Sequence, residues 1–258
     1  MIKREDDIEN DHVAFRTMGV EHLGIASFEK IFLALGYEKR DYFFFEGKKL
    51  NAYWFSPPEP HYPRIFVSEL RVDDLSEQAQ GIIRSYTNEV KADPLDLKDG
   101  KAIDEFLHKP LWRTPTWEDY EALLRESEYA AWVIYNRYYL NHYTISVHNL
   151  PDSYSDIEAF NSFLESIGVK LNDSGGKTKV SPDGGLLQSA TVAEMIEAEF
   201  AGGKKHIIAG SYVEFAERKV LPQYAHLENI GREHRREGFE TGNADKIFES
   251  TFTSQTKR

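Results

Sequence analysis

The stretch His-Val-Ala-Phe-Arg-Thr at residues 12–17 decides the reading of this chain. As a strand it sets Val13 and Phe15 on one face and His12, Ala14 and Arg16 on the other. The neighbouring residues fix the unit to which it belongs. Leu23, Ile25, Phe28, Ile31, Phe32 and Leu35 fall at helical spacing and Gly36 supplies the stop, which is an amphipathic helix ended by a left-handed cap. Residues 41–45 and 50–55 around a Glu46-Gly47-Lys48 turn read as a hairpin, and Arg-Ile-Phe-Val-Ser-Glu-Leu at 64–70 reads as a fourth strand. The order is β-α-β-β-β.

The same order returns further along. Residues 141–150 read as a strand and 156–167 as a helix, with Ser155 and Glu158 as a capping box that satisfies free N–H groups at the helix start. Phe160, Phe163, Leu164 and Ile167, then Gly168, repeat the spacing of the first helix, and strands at about 178–181, 186–193 and 210–218 complete the second copy. A repeated unit is the most informative large-scale feature here. The expectation is one domain in the α+β class: a first module at about 10–71, a helical insertion at about 72–139, a second module at about 140–218 and a tail at 219–258. In the insertion, 75–90, 102–108 and 117–138 read as helices, the last capped by Thr116; a final helix is expected from about 243 to 250. Paired modules of this kind suggest the vicinal-oxygen-chelate architecture, in which two sheets curl around one metal pocket.

Composition narrows the function. A net charge of −12 argues against non-specific nucleic-acid binding, which needs clustered Lys and Arg. The absence of cysteine excludes disulfides, thiolate metal sites and a cysteine nucleophile. The charged N-terminus lacks an apolar leader and no stretch is long and apolar enough to span a bilayer, so no membrane partner and a cytoplasmic location are expected.

Three strands carry the candidate chemistry. His142, Thr144, Ser146 and His148 share a face, as do Tyr212, Glu214, Ala216 and Arg218. A wet polar face is the ordinary explanation for one such strand. Here the polar residues are two imidazoles, an arginine and a carboxylate at comparable places in a repeat. With these faces inward, His12, His142 and Glu214 form a 2-His-1-carboxylate metal site suited to Fe(II) and oxygen chemistry, and open also to Zn, Mn or Ni. Arg16 matches a carboxylate and is the candidate substrate anchor and catalytic residue; a salt bridge to Glu214 or Glu217 is the competing explanation. Gln188 and Ser189 are candidate substrate contacts, and alternation admits only one of them. Arg218 could pair with Glu217 or face the pocket mouth. His148 lies at the strand's end, on the rim. His22, His61, His108, His206, His226 and His234 have no partner at ligand spacing.

At these residues the sequence resembles the 2-oxoadipate dioxygenase/decarboxylase family. The resemblance runs through residues 12–17, 64–70, 141–144, Leu-Gln-Ser-Ala-Thr at 187–191, Tyr-Val-Glu-Phe-Ala-Glu-Arg at 212–218 and the segment 238–251. It implies an Fe(II) enzyme with His12, His142 and Glu214 as ligands and Arg16 on the substrate carboxylate. The implied reaction converts 2-oxoadipate and O2 to 2-hydroxyglutarate and CO2, a step of lysine breakdown. The chain is shorter than many members, with less inserted helix beside the pocket. Two other readings stand beside this one. A glyoxalase-like lyase, isomerase or hydrolase would use Zn or Ni with four protein ligands, the fourth expected near Ser68 or Glu69. A non-enzymatic small-molecule-binding module of the same fold would need no metal triad.

Overall fold

The computed structural model describes residues 8–93 and 100–257. The first module consists of β1 (Asn10–Met18), α1 (Ile25–Ala34), β2 (Glu38–Phe45), β3 (Leu50–Ser56) and β4 (Arg64–Leu70); the helical segment after it contains α2 (Glu77–Thr87), α3 (Gly100–His108), α4 (Trp117–Glu126) and α5 (Glu128–Asn136). The second module contains β5 (His142–Ser146), α6 (Ile157–Ser166), β6 (Lys179–Val180), β7 (Leu186–Ala190), β8 (Met195–Glu199), β9 (Lys205–Ala209) and β10 (Tyr212–Arg218), followed by α7 (Thr241–Ile247) and α8 (Thr253–Thr256).

Eight strands form one curved sheet in the order β2-β3-β4-β1-β5-β10-β7-β6. In each module the first strand runs parallel to the last (β1 with β4, β5 with β10) and the others follow antiparallel. The modules join through antiparallel β1 and β5, so a pseudo-two-fold axis passes between those strands. This is the paired α+β arrangement that the sequence predicts. Helix α1 buries Phe28, Ile31 and Phe32 in the larger apolar cluster, and α6 buries Ile157, Phe160 and Leu164 in a second cluster with Phe215. Burial of such side chains, at roughly 25 cal/mol per Å² of apolar surface, holds each helix to one face of the sheet. The other face carries the site, and α7 with the turn after it closes over it.

Several elements depart from the sequence reading. Asp156, not Ser155, caps α6: its carboxylate accepts the Glu158 and Ala159 N–H groups, while Ser155 Oγ donates to the Asp152 carbonyl. The helix expected at 117–138 breaks at Ser127, whose extended backbone (φ −145°) ends α4 and whose hydroxyl caps α5. Thr116 caps α4 as expected. Strand β5 stops at Ser146, and His148 sits in a 3-10 turn. The β8–β9 hairpin had no clear signal, because Met-Ile-Glu-Ala-Glu and Lys-His-Ile-Ile-Ala alternate only loosely.

Candidate metal centre

Strand register brings the candidate ligands together. His12 on β1 pairs with Thr144 on β5, and Thr144 with Glu214 on β10. One row along, Ala14 pairs with His142 and His142 with Tyr212. Residues paired across a sheet share a face, so His12, His142 and Glu214 point into one cavity. All three are buried, at 1%, 6% and 1% exposure. The Glu214 Oε2 lies 3.5 Å from His12 Nε2 and 3.1 Å from His142 Nε2, and the ligand atoms of all three lie within 4.8 Å of one another. This is the one His/Asp/Glu cluster of metal-holding geometry among the described residues.

Each of these side chains is held from behind. His12 Nδ1 faces Asp11 Oδ1 at 2.9 Å and His142 Nδ1 faces Asn141 Oδ1 at 3.0 Å. Gln188 Nε2 donates to Glu214 Oε1 at 2.6 Å, and Asn243 Nδ2 donates to Gln188 Oε1 at 2.9 Å. With Nδ1–H given to an oxygen, each Nε2 keeps a lone pair on the cavity side; that of His12 also lies 2.9 Å from the Thr144 hydroxyl. Such outer contacts fix the tautomer and aim of metal-binding imidazoles. Burial alone would raise the Glu214 carboxyl, but His12 and His142 outweigh it and bring it down to about 2. Burial lowers His142, with Glu214 opposing. A carboxylate and two imidazoles with their Nε2 atoms inward are a donor set that fits a divalent cation of the Fe, Zn or Mn kind.

Asp11 was not legible as part of this site. Simple alternation turns it away from His12, but a register shift between Asn10 and His12 places a bulge there, and bulges re-aim side chains. Arg218 binds Asp11 through Nε at 2.7 Å and Nη2 at 2.9 Å, and Arg64 Nη1 lies 3.3 Å away. Burial pushes the Asp11 carboxyl up, yet the two guanidiniums and His12 hold it well below the usual range. Arg218 therefore neither pairs with Glu217 nor faces the pocket mouth; it supports the residue behind His12.

The register also tests for a fourth ligand. His12 pairs with Arg64 and His142 with Tyr212. Two residues further along, Phe66 is the first-module counterpart of Glu214. The fourth ligand position is thus neither Ser68 nor Glu69, and it holds a phenyl ring. Ser68 bonds to the Tyr129 hydroxyl, and Glu69 turns to the other face, where it accepts the Ile25 N–H at the start of α1. The four-ligand arrangement of a glyoxalase-like site is not built here.

Arg16 lines the same cavity and is 1% exposed. Nη1 donates to Thr251 Oγ1 at 2.9 Å and Nη2 to the Phe248 carbonyl at 3.0 Å, while the Tyr129, Trp132 and Phe248 rings lie within 5.1–5.7 Å of it. Among the described residues it has no salt bridge. Glu217 instead accepts the Ile157 N–H. Burial lowers the Arg16 pKa, as expected of a cation without an acid beside it. Gln188 faces the cavity, and Ser189 does not: its hydroxyl donates to Asn161 Oδ1 at 2.6 Å on the α6 side. Ser189 is therefore out of reach of a substrate in the cavity. His148 lies outside the cavity, its Nδ1 accepting the Arg218 N–H at 3.2 Å.

The sequence profile of the 2-oxoadipate dioxygenase/decarboxylase family matches residues 1–229. The chain belongs to that family. It is 49% identical over 261 residues to the chloroplastic 2-oxoadipate dioxygenase/decarboxylase of Arabidopsis thaliana, a match covering 96% of this chain and 69% of that protein. The crystal structure of the hydroxyglutarate synthase of Oryza sativa in complex with 2-oxoadipate is 46% identical, with a TM-score of 0.90 over 97% of this chain and 83% of that one. A glyoxalase superfamily protein of Ralstonia eutropha, 21% identical and with a TM-score of 0.71 over 91% of this chain and 76% of that one, shows the same fold. The expectation of a cytoplasmic location is overturned by the plastid location of the Arabidopsis relative. Plastid import uses amphipathic, Ser- and Arg-rich segments, so the lack of an apolar leader could not separate the two compartments.

Proposed function

We propose that this family member is a dioxygenase/decarboxylase that converts 2-oxoadipate and O2 to 2-hydroxyglutarate and CO2, with His12, His142 and Glu214 holding one Fe(II). The carrying observation is the pairing of two features in one buried cavity: a 2-His-1-carboxylate cluster and an arginine with no acidic partner. Family membership and the 2-oxoadipate complex of the rice relative support the substrate. Zn would occupy the same ligands without supplying redox chemistry.

The protein's share of the reaction follows from its geometry. Arg16 anchors a substrate carboxylate by charge and by the fork of its donors. Asp11, Asn141 and Gln188 keep the three ligands aimed. Gln188, with both ends of its amide engaged, acts through Glu214 and is a positioning residue rather than a substrate contact. Phe66, Phe239 and Phe248 line the cavity and keep water from it, which strengthens every charge interaction inside. The bound metal would supply substrate polarisation and oxygen activation.

The test is anaerobic reconstitution with Fe(II), then exposure to O2 with 2-oxoadipate. The expected result is oxygen uptake matched one-to-one by CO2 and 2-hydroxyglutarate. Metal-loaded protein that consumes no oxygen with 2-oxoadipate, or with shorter and longer 2-oxo acids, would refute the assignment.

A further inference from the structure

Three polar groups in the cavity wall are buried without a geometrically formed hydrogen bond among the described residues: Arg16 Nε, Asn141 Nδ2 and the Tyr212 hydroxyl. Such orphans are rare, because a buried unpaired donor costs free energy that a paired or apolar group does not. Their orientations are fixed. The Tyr212 ring stacks on His142, with centroids 4.5 Å apart and planes 27° apart. Register places Tyr212 beside His142 and one row from Glu214. Asn141 must direct Oδ1 at His142 Nδ1–H when Nε2 faces the cavity, which leaves its NH2 group unpaired.

Tyr212 cannot be explained as a packing residue. A phenylalanine would fill the same space, stack on His142 equally well and avoid the unpaired hydroxyl. A phenol keeps its proton at neutral pH, so the group is a donor. A guanidinium has no acceptor, so the nearness of Arg16 leaves the hydroxyl hydrogen free. Arg16 and Tyr212 lie close enough to interact with each other and both line the cavity, so one carboxylate there can accept from the guanidinium and from the hydroxyl. We infer that Tyr212 is a substrate-contacting residue whose hydroxyl donates to the carboxylate held by Arg16, with the Asn141 amide as an adjoining donor. This role depends on the cavity being a 2-oxo acid site.

The experiment is Tyr212→Phe, prepared beside the parent protein and loaded with metal. Three quantities are measured: thermal midpoint, metal affinity by chelator competition, and anaerobic binding of 2-oxoadipate. A substrate-facing hydroxyl predicts a midpoint equal to or above the parent's and unchanged metal affinity. It also predicts 2-oxoadipate binding weakened about ten-fold or more, the usual loss for one hydrogen bond to a charged group. Binding equal to the parent's overturns the inference, whether or not the midpoint falls. If the parent itself fails to bind 2-oxoadipate, the functional reading fails instead, and the variant's higher midpoint would still mark the hydroxyl as a group kept for a ligand.

Discussion

Asp11 and Asn141 each precede a cavity-facing histidine, and the pseudo-two-fold relation makes them counterparts. Their surroundings differ. Asp11 is anionic, locked by Arg218 and Arg64, whereas Asn141 is neutral and half unpaired. The charged partner should make His12 the stronger ligand. We predict that Asp11→Asn raises the metal dissociation constant about 10- to 100-fold, the range for losing an outer partner of a ligand. The same change should lower stability by about 3–5 kcal/mol, since the buried Arg218 guanidinium loses its counter-charge, whereas Arg64 keeps Glu237. Chelator competition and urea unfolding measure the two effects; parent-like metal affinity would remove Asp11 from the site. His12, Arg16, His142 and Glu214 could be read from the sequence because period-two alternation puts them on common faces. Asp11, Asn141 and Tyr212 could not. The first two are neighbours of ligands that alternation assigns to the opposite face, and nothing in sequence distinguishes a buried tyrosine with an orphan hydroxyl from a core one.

At the level of elements, the early end of β5 has a consequence for stability. The turn after it carries His148 into a mostly buried position where its Nδ1 accepts the Arg218 N–H. Burial, reinforced by Arg235, pushes its pKa down to about 4 from 6.5. Above pH 6.5 both folded and unfolded chains hold it neutral. Between about 6.5 and 4 the unfolded chain takes up a proton that the folded chain refuses, so stability falls as pH falls. The contribution is on the order of 2–3 kcal/mol, reduced for its partial exposure. We predict that His148→Gln flattens the dependence of unfolding free energy on pH across that window, measured by urea denaturation at several pH values. A slope equal to the parent's would show that His148 is not the group responsible. The apolar spacing and Gly36 stop of α1, and the start of α4 at its Thr116 cap, were readable in advance. The break at Ser127 and the β8–β9 hairpin were not: Ser127 caps α5 by a local contact inside an otherwise continuous helical pattern, and the strands of the hairpin alternate only loosely.

The sheet is built from two copies of one unit, and one of the pairs at which they have diverged lies in the site. Phe66 and Glu214 occupy counterpart positions, one apolar and one a carboxylate, so the shared cavity offers three candidate protein ligands rather than four. Repetition was visible in the sequence, and so was the fold that it builds. The identity of the pair was not, because it depends on register between strands far apart in the chain. The proposal that His12, His142 and Glu214 together hold one divalent metal is tested by metal content after reconstitution and desalting, measured on the parent, His142→Ala and Glu214→Ala with circular dichroism on each. One metal per parent chain and a large loss in both variants, with secondary structure retained, are expected. Folded variants that keep the parent's metal content would rule the triad out.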